Sequence, residues 1–144
     1  MKVVWIKPDD TYPIRHQVLR EGYPIESCYF AGDHDEKTFH LGAIVDKKLV
    51  SVASFYFDPS PHFSDPYQYR LRGMATLPEQ RNQGFSRSLL QTAIPVIRQN
   101  QGTLLWCNAR FQAVGFYEST GLQKLGNIFE IEGIGPHQLM YIRL

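Results

Sequence analysis

Cysteine is scarce in this chain: there are two, Cys28 and Cys107, far apart and with no metal-ligand spacing around either. Cys107 ends the apolar run Leu104-Leu105-Trp106-Cys107 and reads as a buried, inert thiol. Cys28 falls in a non-periodic stretch and reads as a surface thiol without function. The five histidines form no HExxH or His-x-His pattern, so no metal is expected. Excess charge is missing too. Fifteen Lys and Arg stand against 14 Asp and Glu, a net +1 that gives no case for nucleic acid or a membrane surface as partner. No apolar run approaches the length of a membrane span. The opening Met1-Lys2-Val3-Val4-Trp5-Ile6-Lys7-Pro8 reads as a strand rather than a signal peptide, so the expected compartment is the cytoplasm.

What is present suits one globular domain spanning 1–144, with 43% hydrophobic and 20% charged residues and length enough for a core. Val3 to Lys7 is the first expected strand. Asp9 or Asp10 can cap a following helix, with Pro13 in its first turn and Ile14, Val18 and Leu19 as its apolar stripe up to Gly22. Tyr23 to Lys37 lacks periodicity and reads as a loop with at most a short helix. Phe39–Val45 and Leu49–Phe57 read as a hairpin joined at Asp46-Lys47-Lys48. Asp58 to Pro66 is a loop, and Tyr67 to Arg72 alternates with period two as a strand.

The stretch from Leu71 to Leu90 carries the most information. It reads as a strand, a tight polar loop (Arg81-Asn82-Gln83-Gly84), and a helix from Phe85. Phe85, Leu89, Leu90, Ala93, Ile94 and Ile97 share one helical face, with a kink or early end expected at Pro95. A loop of this kind directs backbone N–H groups and the positive end of the helix dipole at one point, which suits phosphate. Arg81 and Arg87 suit the same anion. A Walker loop would need Gly-Lys-Ser/Thr and a dinucleotide fingerprint three glycines; only Gly84 is here. Thr103–Cys107 then reads as a buried strand, Phe111–Thr120 as a short helix ended by Gly121, and Leu122–Glu132 with Gln138–Arg143 as a last antiparallel pair.

Arg81-Asn82-Gln83-Gly84-Phe85-Ser86 resembles the Arg/Gln-x-x-Gly-x-Gly/Ala pyrophosphate loop of the GNAT superfamily of N-acetyltransferases, with Ser86 in place of the second small residue. Leu-Arg-Gly-Met-Ala-Thr-Leu-Pro before it is similar to that family's fourth strand. Ala113-Val114-Gly115-Phe116-Tyr117-Glu118-Ser119-Thr120-Gly121-Leu122 resembles the family's second signature, with Leu122 where phenylalanine is usual. Two motifs in the right order are more specific than either alone. The resemblance covers roughly the whole chain and is tightest from Leu71 to Leu122. It implies an α+β fold of mixed αβα layers, with a mostly antiparallel sheet of six to seven strands and about four helices.

The resemblance also implies chemistry: acetyl transfer from acetyl-CoA, as cosubstrate, to a primary amine of a small molecule, amino acid or peptide, by direct attack in a ternary complex. The cofactor-binding residues would then be Met74, Ala75 and Thr76 on the strand edge, Arg81, Asn82, Gln83, Gly84, Phe85, Ser86 and Arg87 at the pyrophosphate, and Asn108 and Phe116 further on. Gly73 is a candidate bulge in that strand. Arg110 stands where many members carry asparagine near the pantetheine arm, and Asn108 is the candidate substitute. A backbone N–H near Met74 would stabilise the oxyanion, and Tyr117 would be the acid for the leaving thiolate. For the base, Glu26, His137 and relayed water stay open.

Plainer readings stand beside these. Tyr117 shares a helix face with Ala113 and Val114 and can be a packing residue. Arg70 and Arg72 can meet an acidic substrate or form a salt bridge over the sheet. Gly115 inside a helix costs about 1 kcal/mol against alanine and suggests close packing. Tyr56, Phe57, Phe63, Tyr67 and Tyr69 can wall a cleft or fill a core. The alternative to the enzyme is a non-catalytic acyl-CoA-binding or sensing domain. Self-association as a homodimer is left open.

Overall fold

Apolar alternation produces strands and the 3.6-residue period produces helices, and the computed structural model, which describes residues 1–144, arranges them as an α+β chain. In order they are β1 (Lys2–Ile6), α1 (Pro8–Leu19), β2 (Phe39–Val45), β3 (Lys48–Phe57), β4 (Gln68–Thr76), α2 (Phe85–Gln99), β5 (Leu104–Arg110), α3 (Val114–Ser119), β6 (Gln123–Ile131) and β7 (Gly135–Arg143). Short 3₁₀ turns at Ile25–Cys28, Pro78–Gln80 and Phe111–Ala113 accompany these three α-helices. The seven strands follow the order β1-β2-β3-β4-β5-β7-β6. Pairing is antiparallel at β1/β2, β2/β3, β5/β7 and β6/β7, and parallel at β4/β5.

The chain divides into two compact units: Met1–Phe57 with Leu71–Val96, and Asp58–Arg70 with Ile97–Leu144. In the first, β2 and β3 meet through Asp46 and Lys47, both at positive φ (50° and 65°), as a two-residue hairpin turn requires. Lys48 therefore belongs to the strand and pairs with Val45. Helix α1 is capped differently from expectation. Lys7 holds the cap position, Pro8 opens the first turn, and Asp10 reaches back to accept from the Lys7 N–H at 3.0 Å. Phe85, Leu89, Leu90 and Ala93 bury one face of α2, as the spacing predicts. Cys28 is also fully buried, which corrects the surface reading; its 3₁₀ turn carries it inward, where its carbonyl accepts from Arg15 at 2.8 Å.

In the second unit, the parallel ladder is confined to Gln68↔Leu104, Tyr69↔Leu105 and Arg70↔Trp106. Leu104, Trp106 and Leu139 form a buried cluster with Phe63 and Tyr141 packed against it. Helix α2 continues past Pro95 to Gln99, where the Gly102 N–H closes it on the Ile97 carbonyl at 2.8 Å. Gly102 cannot be larger: a Cβ there would stand 3.0 Å from that carbonyl oxygen and 2.3 Å from the Ile97 side chain. Strand β6 is less regular than its sequence suggests. Its register with β7 passes from Leu125↔Leu139 directly to Phe129↔His137, so residues 126–128 oppose Gln138 alone. That is a bulge with two extra residues, larger than the common one-residue kind.

Candidate functional site

The loop that the sequence marks as a candidate anion site lies in the first unit. Strand β4 ends at Thr76, the chain turns through Pro78–Gln80, and Arg81, Asn82, Gln83 and Gly84 lie exposed ahead of α2. Asn82 and Gly84 have φ of +62° and +83°, a conformation that turns successive peptides toward one side. A Cβ built on Gly84 would meet nothing within 4 Å, so the space over the loop is open. The first helical hydrogen bond runs from the Ser88 N–H to the Gly84 carbonyl at 3.0 Å. The amides of Phe85 and Ser86 precede that ladder and open at the helix N-terminus.

Side chains fix this arrangement. Thr76 Oγ1 lies 3.2 Å from Ser86 Oγ and 2.7 Å from Ser51 Oγ, and the Leu77 N–H donates to the Val50 carbonyl at 2.9 Å. The end of β4 is thereby tied to the first turn of α2. Met74, Ala75 and Thr76 are consecutive at that end, with Ala75 buried and its neighbours half-buried. Phe85 is buried in the core, so of this residue only the backbone faces the loop. Arg87 is half-buried in the first turn of the helix, and Arg81 is exposed on the loop.

Just before this segment, Gly73 has φ +68°. A Cβ there would approach the Phe30 ring to 3.1 Å and Arg15 Nε to 3.2 Å. Arg15 itself is fully buried on α1, and Phe30 carries the guanidinium groups of both Arg15 and Arg72 at 4.1 Å from its ring centroid. Of the β4 arginines, Arg70 makes a salt bridge to Asp58 at 3.4 Å, and Arg72 stacks on the Phe30 ring.

The second unit holds Tyr117, Phe116 and Asn108. Helix α3 packs on β5 and β6 and buries Tyr117 to 8% exposure, with the Phe116 ring 5.1 Å away. Burial pushes the Tyr117 phenol well above its ordinary pKa, helped by neighbouring Cys107, whose own thiol burial raises to about 12. Tyr117 therefore keeps its proton at neutral pH, as a donor must and a base must not. Gly115 has nothing within 4 Å of a built Cβ, so close packing does not account for it. Glu26 is exposed on the 3₁₀ turn of the first unit. His137 is buried on β7, and its Nδ1 donates to the Gly135 carbonyl at 2.8 Å.

Strand alternation places Trp106 and Asn108 on one face of β5 and Cys107 on the other. On the Asn108 side lies a cleft of about 450 Å³, bounded by β5, the β6 bulge, Leu139 and the 60–62 segment. Asn108 alone of the expected site residues lines it. Its aromatic walls are Trp106 and Phe129; the tyrosines and phenylalanines from 56 to 69 serve elsewhere. Tyr56 and Tyr69 are buried, Phe63 stacks on Tyr141 at 5.1 Å, and Phe57 lies under Lys37 Nζ at 4.4 Å. No group of three or more His, Cys, Asp or Glu residues is placed to hold a metal ion. No helix is long and apolar enough to cross a membrane.

Comparison with known proteins bears on this geometry. Residues 4–122 match the family model described as the Acetyltransferase (GNAT) family. A Bacillus subtilis (strain 168) protein, which carries the name uncharacterized N-acetyltransferase YitI, is 41% identical over 141 residues, covering 98% of this chain and 95% of its own. Among solved structures, an aminoglycoside 6'-N-acetyltransferase complexed with coenzyme A superposes with a TM-score of 0.78 at 11% identity, over 99% of this chain and 97% of that one. The ribosomal-protein-S18-alanine N-acetyltransferase from Escherichia coli gives 0.75 at 18% identity, over 99% and 92%. These structural likenesses establish a shared fold.

Proposed function

Because this chain belongs to the GNAT acetyltransferase family and is thus an acyltransferase, we propose that it moves an acetyl group from acetyl-CoA to a primary amine. The observation that carries this reading is the loop at Gly84, where open space and first-turn amides meet at one helix N-terminus. These groups fit a diphosphate: the donors are backbone N–H groups, the glycine carries no side chain to obstruct approach, and Arg81 and Arg87 supply positive charge nearby. Coenzyme A bound to the fold neighbour named above is consistent with the same cosubstrate here.

Bound acetyl-CoA supplies a thioester carbonyl open to attack by an amine. The chain's residues divide the remaining tasks. Arg81 to Arg87 would hold the diphosphate. The parallel ladder of β4 stops at Arg70, before Met74, so the backbone of Met74 to Thr76 is the candidate edge for the amide groups of the pantetheine arm. An N–H near Met74 would face the carbonyl oxygen as it gains charge. Asn108 and Phe116 would border the arm. As the amine nitrogen bonds to the carbonyl carbon and the C–S bond breaks, Tyr117, a neutral phenol because burial raises its pKa, would pass its proton to the departing sulfur and regain one through water from the proton that the nitrogen sheds.

Incubation with acetyl-CoA and a panel of primary amines tests the reading. Thiol release matched mole for mole by acetylated amine, seen by mass spectrometry, is expected. Tight binding of coenzyme A with no acetylated product would instead favour the non-catalytic, acyl-CoA-sensing alternative.

A further inference from the structure

The cleft on the Asn108 face of β5 has a specific chemistry. Four of its walls are apolar: Trp106 from β5, Leu125 and Phe129 from β6, and Leu139 from β7. Asn108 and Asn127 add neutral amides, and no Asp, Glu, Lys or Arg lines it; His62, from the 60–62 segment, is the one titratable side chain there. A volume of about 450 Å³ falls within the range of small-molecule sites.

The cleft is built, not incidental. Residues 126–128 leave the β6/β7 ladder, and Gly126 takes φ +74° at the start of the excursion. Gln138, buried beneath, holds the displaced strand open by donating from Nε2 to the carbonyls of Leu125 and Gly126 at 3.0 and 3.1 Å. Trp106 is held as well. Its Nε1 donates to the Asp58 carbonyl at 2.8 Å, and the Arg70 guanidinium lies 4.8 Å from its ring centroid. Arg70 is thus committed to Trp106 and to Asp58.

We propose that this cleft receives the side group of the acceptor amine, and that this group is uncharged and apolar, aromatic or branched aliphatic. The inference rests on the acetyl-transfer reading above. Burying such a group against Trp106, Leu125, Phe129 and Leu139 gains roughly 25 cal/mol for each Å² removed from water. A second ammonium placed there would lose hydration with no carboxylate to replace it. Asn108 and Asn127 offer hydrogen bonds that a neutral amide or hydroxyl can use. Polycationic acceptors are therefore excluded from this cleft by its lining.

Steady-state acetylation of 2-phenylethylamine, phenylalaninamide and leucinamide, set against spermidine and kanamycin, tests the proposal. We expect kcat/KM for the apolar amines to exceed that for the polycations by about 10-fold or more, the discrimination one or two buried methylenes can provide. Two variants at exposed positions of β6 should act on the same quantity. Phe129→Ala, which removes a wall, and Asn127→Trp, which fills the space, should each raise KM for phenylalaninamide about tenfold with coenzyme A affinity unchanged by calorimetry. A preference for spermidine or kanamycin, or acetylation of a polycation but of no apolar amine, would overturn the proposal. So would an unaltered KM in both variants. Coenzyme A binding with no amine of either kind acetylated, or no coenzyme A binding at all, would instead remove the acetyl-transfer reading beneath it.

Discussion

The guanidinium of Arg15 forks onto the carboxylate of Asp33, Nη1 to Oδ2 at 2.7 Å and Nη2 to Oδ1 at 3.0 Å, with both side chains buried. Tyr56 donates to the same Oδ1 at 2.5 Å, and Arg15 also reaches Ser54 Oγ at 2.8 Å. His40 completes the chain: its Nε2 donates to the Asp33 carbonyl at 2.9 Å, and its Nδ1 accepts from Ser54 at 2.6 Å. The network joins α1, the α1–β2 connection, β2 and β3 through charge-assisted hydrogen bonds. Removing Asp33 leaves a buried cation without its counter-charge. Asp33→Ala should therefore lower the unfolding free energy by about 3–5 kcal/mol, measured by urea denaturation. Arg15→Met with Asp33→Leu should recover much of that loss, since no charge is then left buried.

Acid should weaken the same network. Burial holds the His40 imidazole below its ordinary pKa, outweighing its bond to the Asp33 carbonyl. Burial pushes Asp33 upward, but its bonds from Arg15 and Tyr56 prevail and hold it low. A group depressed in the folded state takes up protons more readily when unfolded, so its contribution is lost as pH falls. The His40 part should fade on going below about pH 6.5 and the Asp33 part below about pH 3.9, their unfolded values. Tm should accordingly drop between pH 7 and pH 5, and His40→Gln should flatten that drop.

Two glycines at positive φ should respond differently to alanine. At Gly84 a Cβ meets open space, so Gly84→Ala should cost only the left-handed conformation, about 1–2 kcal/mol. At Gly73 the same conformational cost is joined by contacts at 3.1 and 3.2 Å with Phe30 and the buried Arg15 Nε, which has no hydrogen-bond partner and little room to yield. Gly73→Ala should be the more destabilising of the pair in thermal denaturation.

Tyr117→Phe separates chemistry from binding. With Tyr117 in the proposed role of proton donor to sulfur, the variant should lower kcat by about 10²–10⁴-fold, with coenzyme A affinity held within about twofold. Since the phenol lies buried against β5, removal of its oxygen should leave the packing of α3 intact, as near-unchanged circular dichroism would show.

Much of this molecule is legible from local signals. The polar loop before an amphipathic helix, the turn at Asp46-Lys47 and the glycine ending α3 each declare themselves within a few residues. What stayed hidden depends on partners distant in the chain. Arg15 looks like one more polar residue on a helix until Asp33, Ser54 and Tyr56, up to 41 positions away, surround it. The same carriage inward buried Cys28. The β6 bulge was invisible for another reason. Leu122 to Glu132 reads as one strand, and only the register against β7 and the donors of Gln138 reveal that residues 126–128 leave the ladder.

Calorimetric titration of coenzyme A into the wild type and Gly84→Asp addresses the phosphate loop most directly. Saturable one-to-one binding to the wild type is expected, weakened about tenfold or more (roughly 1.4 kcal/mol) when a carboxylate is placed among the loop amides. Equal affinity in the two proteins, or no binding heat from the wild type, would contradict it.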